Sequence, residues 1–328
     1  GVDENGKDCS NELSYLVIDT VKQSNLRSPS LVFRLNKNTP KQLFEATLDP
    51  ILFEKGQPVY YSEEECLRAV MHRGIPKDIA RRYQPNNCMG LFIPGKEVAL
   101  SWGCVFNMHL PLELALNYGA PFSGQFPFRL ETQPVLEFKT IDDLYEQYRL
   151  YLEEIFKICI AYNRRKMAEG IAQDPNPWIS ALTPSCIVSG QDRWDDAGAD
   201  YQSVTVECFS FGITGDALGA IEELVFKKKK YSIEQLIVAA QNNYEGYEDI
   251  RQDILKCPKY GTGNAVADAR VKRIMSMMAD ICEASKSGNW QYLPSLHTLT
   301  FEIQKGKNTV LQWMAVWRDS RLIKMQDL

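Results

Sequence analysis

Cys88 stands in the run Asn86-Asn87-Cys88-Met89-Gly90-Leu91-Phe92-Ile93-Pro94-Gly95-Lys96-Glu97. Pro85 before it and the Pro94-Gly95 pair after it mark the run as a loop between regular elements. Taken alone, the spacing reads Cys88 as an inert packed thiol, since free cysteine is among the most buried residue types. If the thiol instead reacts, radical chemistry is one course open to it. A thiyl radical can take hydrogen from an unactivated carbon and return it, which ionic side chains cannot do. Such a species needs shielding from solvent, because closed sites suppress side reactions. Met89, Leu91, Phe92 and Ile93 are all apolar and suit that need. Asn87, Met89, Gly90 and Phe92 are the candidates to line a substrate pocket beside Cys88.

The elements that must carry this loop come from periodicity and breakers. Before it, a helical pattern covers residues 11–24, with Leu13, Leu16, Val17 and Val21 on one stripe. A buried strand is predicted over 30–35, in which Arg34 is read as lying on a solvated rim. Pro40 opens a second helix. A short strand covers 59–61, and Ser62-Glu63-Glu64-Glu65 is a capping box for a third helix. Residues 76–82 form a short helical segment leading to the loop. After it, residues 102–118 are apolar, with an irregular lead-in to a helix near Pro111. Residues 125–137 are a surface loop. The longest helical pattern covers 141–172, where Leu144, Tyr148, Tyr151, Leu152, Ile155 and Ile158 form a packing stripe. An apolar segment over 179–188 leads to a polar loop at 191–200. A strand over 204–211 then feeds a helix over 216–228. Gly212, Gly215 and Gly219 punctuate that join. They lack the G-x-G-x-x-G spacing and acidic partner of a dinucleotide site, so they are read as close backbone packing. Lys227 to Lys230 complement a helix C-terminus. Ser232-Ile233-Glu234-Gln235 is a further capping box, a helix covers 265–284, and 296–303 is extended. Alternating strands and helices argue for an α/β layer with parallel strands.

Bulk properties bound the function. The chain has 328 residues, enough for one large domain or two ordinary ones. The net charge of −5 gives no basic footprint for nucleic acid. No stretch approaches the ~20 apolar residues that span a bilayer. Nine cysteines without a C-x-x-C pair argue for reduced thiols in a cytoplasmic setting. The three histidines, His72, His109 and His297, have no metal-ligand spacing, so no metal site is expected.

Several motifs together carry a family resemblance. Ser28-Pro29-Ser30-Leu31-Val32-Phe33-Arg34-Leu35 is followed by the turn Asn36-Lys37-Asn38-Thr39-Pro40 and then by the cysteine loop with Pro94-Gly95-Lys96-Glu97. Phe106-Asn107 and Leu112-Glu113-Leu114-Ala115-Leu116-Asn117-Tyr118-Gly119 come next. This order resembles the middle of the glycyl radical enzymes, the pyruvate formate-lyase-like family. Ala217-Leu218-Gly219-Ala220-Ile221, Asn243-Tyr244-Glu245-Gly246-Tyr247 and Lys256-Cys257-Pro258-Lys259-Tyr260-Gly261 look like its later landmarks, so the likeness runs from about Asn11 to Val310. It implies a ten-stranded α/β barrel with outer helices, of which this chain would form part, with Cys88 on a loop entering the barrel. It implies lyase or dehydratase chemistry of anaerobic metabolism on a small organic substrate, with the Cys88 thiyl radical abstracting hydrogen. It also implies a glycyl radical installed by a radical S-adenosylmethionine activating enzyme, no bound cofactor, and a homodimer when full length.

Two departures qualify the expectation. Many family dehydratases and decarboxylases have a glutamate base two residues after the cysteine, where this chain has Gly90; Glu97 and Glu207 are the nearest replacements. The adjacent-cysteine pair of pyruvate formate-lyase is also absent, because Met89 follows Cys88. A carbon–carbon bond-forming radical addition, which needs no such base, therefore stays open, as does a non-catalytic α/β small-molecule-binding remnant. The second departure is the missing R-V-x-G-[FY] glycyl radical motif, which makes the chain read as a middle fragment over residues 1–310. Its tail suggests a cause. The codons ACT CCA GTG GAT GGC CGT, for Thr-Pro-Val-Asp-Gly-Arg where the family has A-T-P-x-G-R, read one base off give Leu311-Gln312-Trp313-Met314-Ala315 and the start of Val316. Residues 311–328 are accordingly expected to be a frameshifted tail.

Overall fold

The computed structural model describes residues 1–3, 5–24, 29–85, 90–122, 130, 137–173 and 175–296. In chain order the elements are α1 (Glu12–Gln23), β1 (Val32–Leu35), α2 (Lys41–Thr47), α3 (Pro50–Glu54), β2 (Val59–Ser62), α4 (Glu63–His72) and α5 (Lys77–Ala80). There follow β3 (Gln84–Pro85), β4 (Leu91–Phe92), β5 (Glu97–Asn107), α6 (Leu110–Leu116), α7 (Ile141–Gln173), α8 (Pro177–Ala181) and α9 (Pro184–Ser189). The last are β6 (Tyr201–Phe209), α10 (Phe211–Ile221), α11 (Ile233–Gln241), α12 (Glu248–Leu255), α13 (Ala265–Ala284) and β7 (Trp290–Leu296). Helices and strands alternate, so the fold is α/β as the pattern predicts. The described strands form a parallel pair β1–β2, an antiparallel pair β3–β4 and a sheet ordered β5-β6-β7; no closed barrel is formed among the described residues. The proposed tail at 311–328 and the extended segment at 297–303 lie outside the described residues, as does most of the loop at 125–137.

The chain divides into two compact units. The first holds residues 1–101 and 176–202. There β1 and β2 pair in register from Val32–Val59 to Leu35–Ser62. Ile18, Phe33, Leu43 and Leu52 form one core cluster, so α1 is buried through Ile18, which the predicted stripe did not include; of that stripe Val21 packs half-buried against the cluster, whereas Leu13, Leu16 and Val17 are exposed. A second cluster, Val70, Ile75, Ala80, Tyr83 and Ile93, joins α4 to both ends of the cysteine loop. Only half of the predicted capping box at Ser62 forms. The Ser62 hydroxyl accepts from the Glu65 amide at 3.4 Å, while the Glu65 carboxylate pairs with Arg68 instead of turning back to the cap. At Ser232 the box is complete, with Gln235 closing it.

The second unit holds residues 102–175 and 203–328. The irregular lead-in expected before Pro111 is in fact the end of β5, whose side chains alternate: Cys104 and Phe106 are buried and Val105 is exposed. Strand β6 is buried almost throughout, as a strand covered on both faces must be. The α7 stripe packs as predicted through Leu144, Tyr148, Tyr151 and Leu152, and the Tyr148 hydroxyl donates to the Met108 carbonyl at 2.9 Å. Ile158 is exposed, so the stripe ends before it. Helix α10 starts at Phe211, well before the predicted 216, which places Gly212, Gly215 and Gly219 inside it. Their role is the close packing inferred from sequence. A Cβ on Gly215 would collide with Val271 of α13, and one on Gly219 would stand 2.7 Å from an Arg270 guanidinium nitrogen. Beyond Ile221 the helix widens into a π-helical turn, Glu222–Lys227, where Arg270 meets Glu222 at 2.8 Å.

Candidate active site: a cysteine loop held at both feet

Strands β3 and β4 fix where the cysteine loop leaves and returns. Gln84 pairs with Phe92 and Pro85 with Leu91, antiparallel, so residues 86–90 connect two adjacent strand ends. Gly90 is buried and Phe92 half-buried. Asn87, Cys88 and Met89 lie outside the described residues, so of the five candidates only Gly90 and Phe92 are located.

The incoming foot is Tyr83, fully buried just before β3. The Arg34 guanidinium lies 3.9 Å from its ring centre. Arg34 Nε and Nη2 donate to the two Glu63 oxygens at 2.9 and 2.8 Å, a forked geometry that suits guanidinium to carboxylate. Its Nη1 donates to the Tyr83 carbonyl at 2.8 Å, and the Tyr83 hydroxyl donates to Glu63 Oε2 at 3.1 Å. Arg34 is therefore not on a solvated rim: its side chain is 11% exposed and that of Glu63 6%. The correction has a simple cause. A buried guanidinium must be paired, and its partner lies 29 residues further on. The signal available in the sequence was an arginine inside an otherwise apolar strand. Burial pushes the Tyr83 phenol well above its usual range, with Arg34 partly offsetting it. Burial likewise raises the Cys66 thiol on α4, which the hydrogen bond with Tyr83 partly offsets.

The outgoing foot is Ile93, also fully buried. The Ile93 carbonyl accepts from the amides of Lys96 and Glu97 at 3.1 and 2.9 Å, closing the Pro94-Gly95 turn; Gly95 has φ +74°, a left-handed conformation that glycine adopts without strain. The Glu97 carboxylate folds back on this turn: Oε2 accepts from the Ile93 amide at 3.0 Å, and Oε1 pairs with Arg73. Arg73 also donates to the Leu91 carbonyl at 3.5 Å. With side-chain exposures of 7% and 0%, Arg73 and Glu97 form a second buried pair. Glu97 is thus engaged in holding the loop, which argues against the role of replacement base. Glu207, the other candidate, is fully buried on β6 in the second unit. At the rim, Lys96 Nζ meets Asp200 at 2.7 Å, and the Tyr201 amide donates to the Lys96 carbonyl at 3.1 Å.

The described cysteines are all free thiols. Cys104, Cys186, Cys208, Cys257 and Cys282 are buried, and Cys66 and Cys159 partly so. For Cys104 the hydrogen bond with Cys159 and then burial push the thiol far above its ordinary value; burial raises Cys208 to about 12. Thiols held protonated in this way are poor nucleophiles.

Comparison with known proteins agrees with this architecture. A profile of the family described as pyruvate formate lyase-like matches residues 1–306. The trans-4-hydroxy-L-proline dehydratase of Clostridioides difficile is 29% identical over 279 residues, 84% of this chain and 35% of that protein. The isethionate sulfite-lyase of Bilophila wadsworthia is 28% identical, over 88% of this chain and 35% of that protein. Among solved structures, the C. difficile hydroxyproline dehydratase with trans-4-hydroxy-L-proline bound superposes with a TM-score of 0.84 at 26% identity, covering 94% of this chain and 39% of that one. The chain therefore spans between a third and two fifths of the length of these relatives. With a profile match across nearly its whole length and a shared backbone, this chain belongs to the pyruvate formate lyase-like family.

Proposed function

We propose that this chain carries the cysteine-loop portion of a glycyl radical lyase or dehydratase, with Cys88 as the residue that takes hydrogen from substrate. The observation that carries the reading is the hairpin whose two feet are clamped by buried ion pairs, in a chain of this family. The relatives' names denote loss of water from hydroxyproline and release of sulfite from isethionate, both small polar molecules; a small oxygenated substrate follows for this chain by analogy. The glycyl radical, installed by a radical S-adenosylmethionine activating enzyme, would supply the means of converting the Cys88 thiol to a thiyl. The chain's own part would be to hold the two ends of the loop that carries Cys88, whose sequence neighbours Met89, Leu91, Phe92 and Ile93 are apolar. Asn87, Met89, Gly90 and Phe92 would line the pocket.

Gly90 supports a second reading. It offers no carboxylate where many dehydratases of the family keep one, and Glu97 is bound to Arg73 and the Ile93 amide. Radical addition to an alkene, forming a carbon–carbon bond, requires no base at that place. The experiment compares the protein carrying all family segments with its Cys88→Ser variant, each activated anaerobically and offered trans-4-hydroxy-L-proline, 1,2-propanediol, glycerol and isethionate. An O–H bond is much stronger than an S–H bond, so a serine cannot pass hydrogen on. The variant is expected to fold and to acquire the glycyl radical signal, yet to give neither product nor deuterium exchange. Retained turnover in Cys88→Ser would remove Cys88 from the mechanism.

A further inference from the structure

Four thiols converge inside the second unit. Cys104 lies on β5, Cys159 on α7, Cys208 on β6 and Cys282 on α13. The Cys104 thiol is in hydrogen-bond contact with Cys159, and Cys208 and Cys282 stand close enough for their charge to act on it. Such a cluster could hold a metal only if three donors faced one point, and among the described residues no three cysteine, histidine, aspartate or glutamate side chains do so.

The packing of α7 on β5 sets the contact between Cys104 and Cys159. Along the strand, Cys104 and Phe106 are two residues apart and share a face. Along the helix, Phe156 and Cys159 are three apart and share a face. The Phe106 and Phe156 rings meet edge to face with centres 6.2 Å apart, and Phe156 also meets Tyr292 of β7 at 5.7 Å. Just past the strand, the Met108 carbonyl accepts from the Tyr148 hydroxyl at 2.9 Å. Strand and helix therefore run antiparallel and touch in turn at Met108 with Tyr148, Phe106 with Phe156 and Cys104 with Cys159. The first two contacts fix the register that brings the two sulfurs together.

The two sulfurs differ in access. Cys104 is buried, whereas Cys159 is partly exposed, beside Ile158 and near Tyr162, which are 50% and 61% exposed. An oxidant arriving from solvent meets Cys159 first.

We propose that Cys104 and Cys159 are an oxidative modification site, a dithiol that hydrogen peroxide converts into a disulfide joining β5 to α7. The Cys159 sulfur attacks one peroxide oxygen, the O–O bond breaks, and water leaves with the thiol proton, giving a sulfenic acid. The Cys104 sulfur then attacks the Cys159 sulfur. The S–O bond breaks, and hydroxide leaves as water with the Cys104 proton. Two thiols thereby lose two electrons and two protons, and one hydrogen peroxide becomes two waters. The hydrogen bond with Cys159 and then burial keep the Cys104 thiol protonated, so it reacts only with an electrophilic sulfur already beside it. Closing the contact to the about 2.05 Å of an S–S bond draws strand and helix together in a close-packed core. A bond formed under that strain is easily reduced, which suits a reversible modification.

The test treats the fully reduced chain with increasing hydrogen peroxide, blocks the remaining thiols with N-ethylmaleimide and maps cross-linked peptides by mass spectrometry. A Cys104–Cys159 cross-link is expected at lower peroxide than any other intramolecular disulfide, and dithiothreitol should remove it. In Cys104→Ala, dimedone should trap a sulfenic acid on Cys159 that the unaltered chain loses to the disulfide. In Cys159→Ser, a change at a partly exposed position, oxidation of Cys104 should be lost. Should either variant fold poorly, the cross-link map of the unaltered chain still decides. Absence of the cross-link from the folded chain, Cys104 joined instead to Cys208 or Cys282, or oxidation of Cys104 persisting in Cys159→Ser would overturn the assignment. No part of the step involves the cysteine loop, so this proposal and the catalytic reading fail separately.

Discussion

Replacing Arg34 by methionine should open the base of the cysteine hairpin and little else. The side chain is 11% exposed and gives two hydrogen bonds to Glu63, one to the Tyr83 carbonyl at 2.8 Å and a longer one to the Arg81 carbonyl at 3.4 Å. Methionine keeps most of the apolar stem against the Tyr83 ring but leaves Glu63, 6% exposed, with the Tyr83 hydroxyl as its nearest donor. Removing one partner of a buried pair costs about 3–5 kcal/mol because the other charge stays buried. The two compact units make a single unfolding free energy ill-defined, so the measurement should be local. Native-state hydrogen exchange read on peptides from β1 and α4 fits that need. At about 1.4 kcal/mol per factor of ten, protection there should fall by about two to three and a half orders of magnitude. Arg68→Met is the control: its pair with Glu65 is exposed on both sides, and such pairs contribute at most about 1 kcal/mol. The double variant Arg34→Met/Glu63→Met should recover most of the protection. A fall of less than tenfold in Arg34→Met would refute the view that this pair is a strut.

Three further outcomes are expected. Gly215→Ala pushes a Cβ into Val271 and should destabilise the α10–α13 joint by about 1–3 kcal/mol by overpacking; adding Val271→Ala should restore part of the lost thermal stability. The Glu222 carboxyl is held below its ordinary 4.5 because hydrogen bonds from Lys227 and Arg270 outweigh its burial. A lowered acid stabilises the fold above its unfolded value and loses that contribution as pH falls through the folded one, so exchange protection of α10 and α13 should weaken below pH 4.5, and Glu222→Gln should flatten that dependence. The one-base shift proposed after Val310 predicts that the coding DNA, read in the neighbouring frame, continues into a long open frame containing R-V-x-G-[FY]; early stop codons in every frame would dismiss it.

What could be read from the sequence depended on how far away each residue's partner lies. Helix α13 was legible to its ends because Asn264 caps it through the Val266 and Ala267 amides and its apolar residues recur at helical spacing. The hairpin was legible as a loop because Pro85 and Pro94-Gly95 are local signals. The start of α10 was not, since glycines lower helix propensity and their reason for being there is α13, some fifty residues on. Strand β5 was hidden by the largely apolar run that continues into α6. Arg34 was misjudged for a related cause: composition shows a charge in a strand, and only the fold shows Glu63 and Tyr83 around it.

The candidate site divides along the same line, and the division bears on the reaction. Residues at the loop's tip were singled out through the family resemblance, because a cysteine between apolar neighbours reads by itself as a packed thiol, and their role stays a proposal. Residues at its feet were found only in three dimensions, because Arg34, Glu63, Arg73 and Glu97 act through one another. Glu97 belongs to the second group although sequence placed it in the first. A carboxylate that pairs with a buried guanidinium and accepts from a backbone amide is occupied on both oxygens. Using it as a base would break the contact that holds Ile93. On the proposed reading a base for elimination would come from outside residues 84–97, whereas radical addition asks for none, and Gly90 supplies no carboxylate.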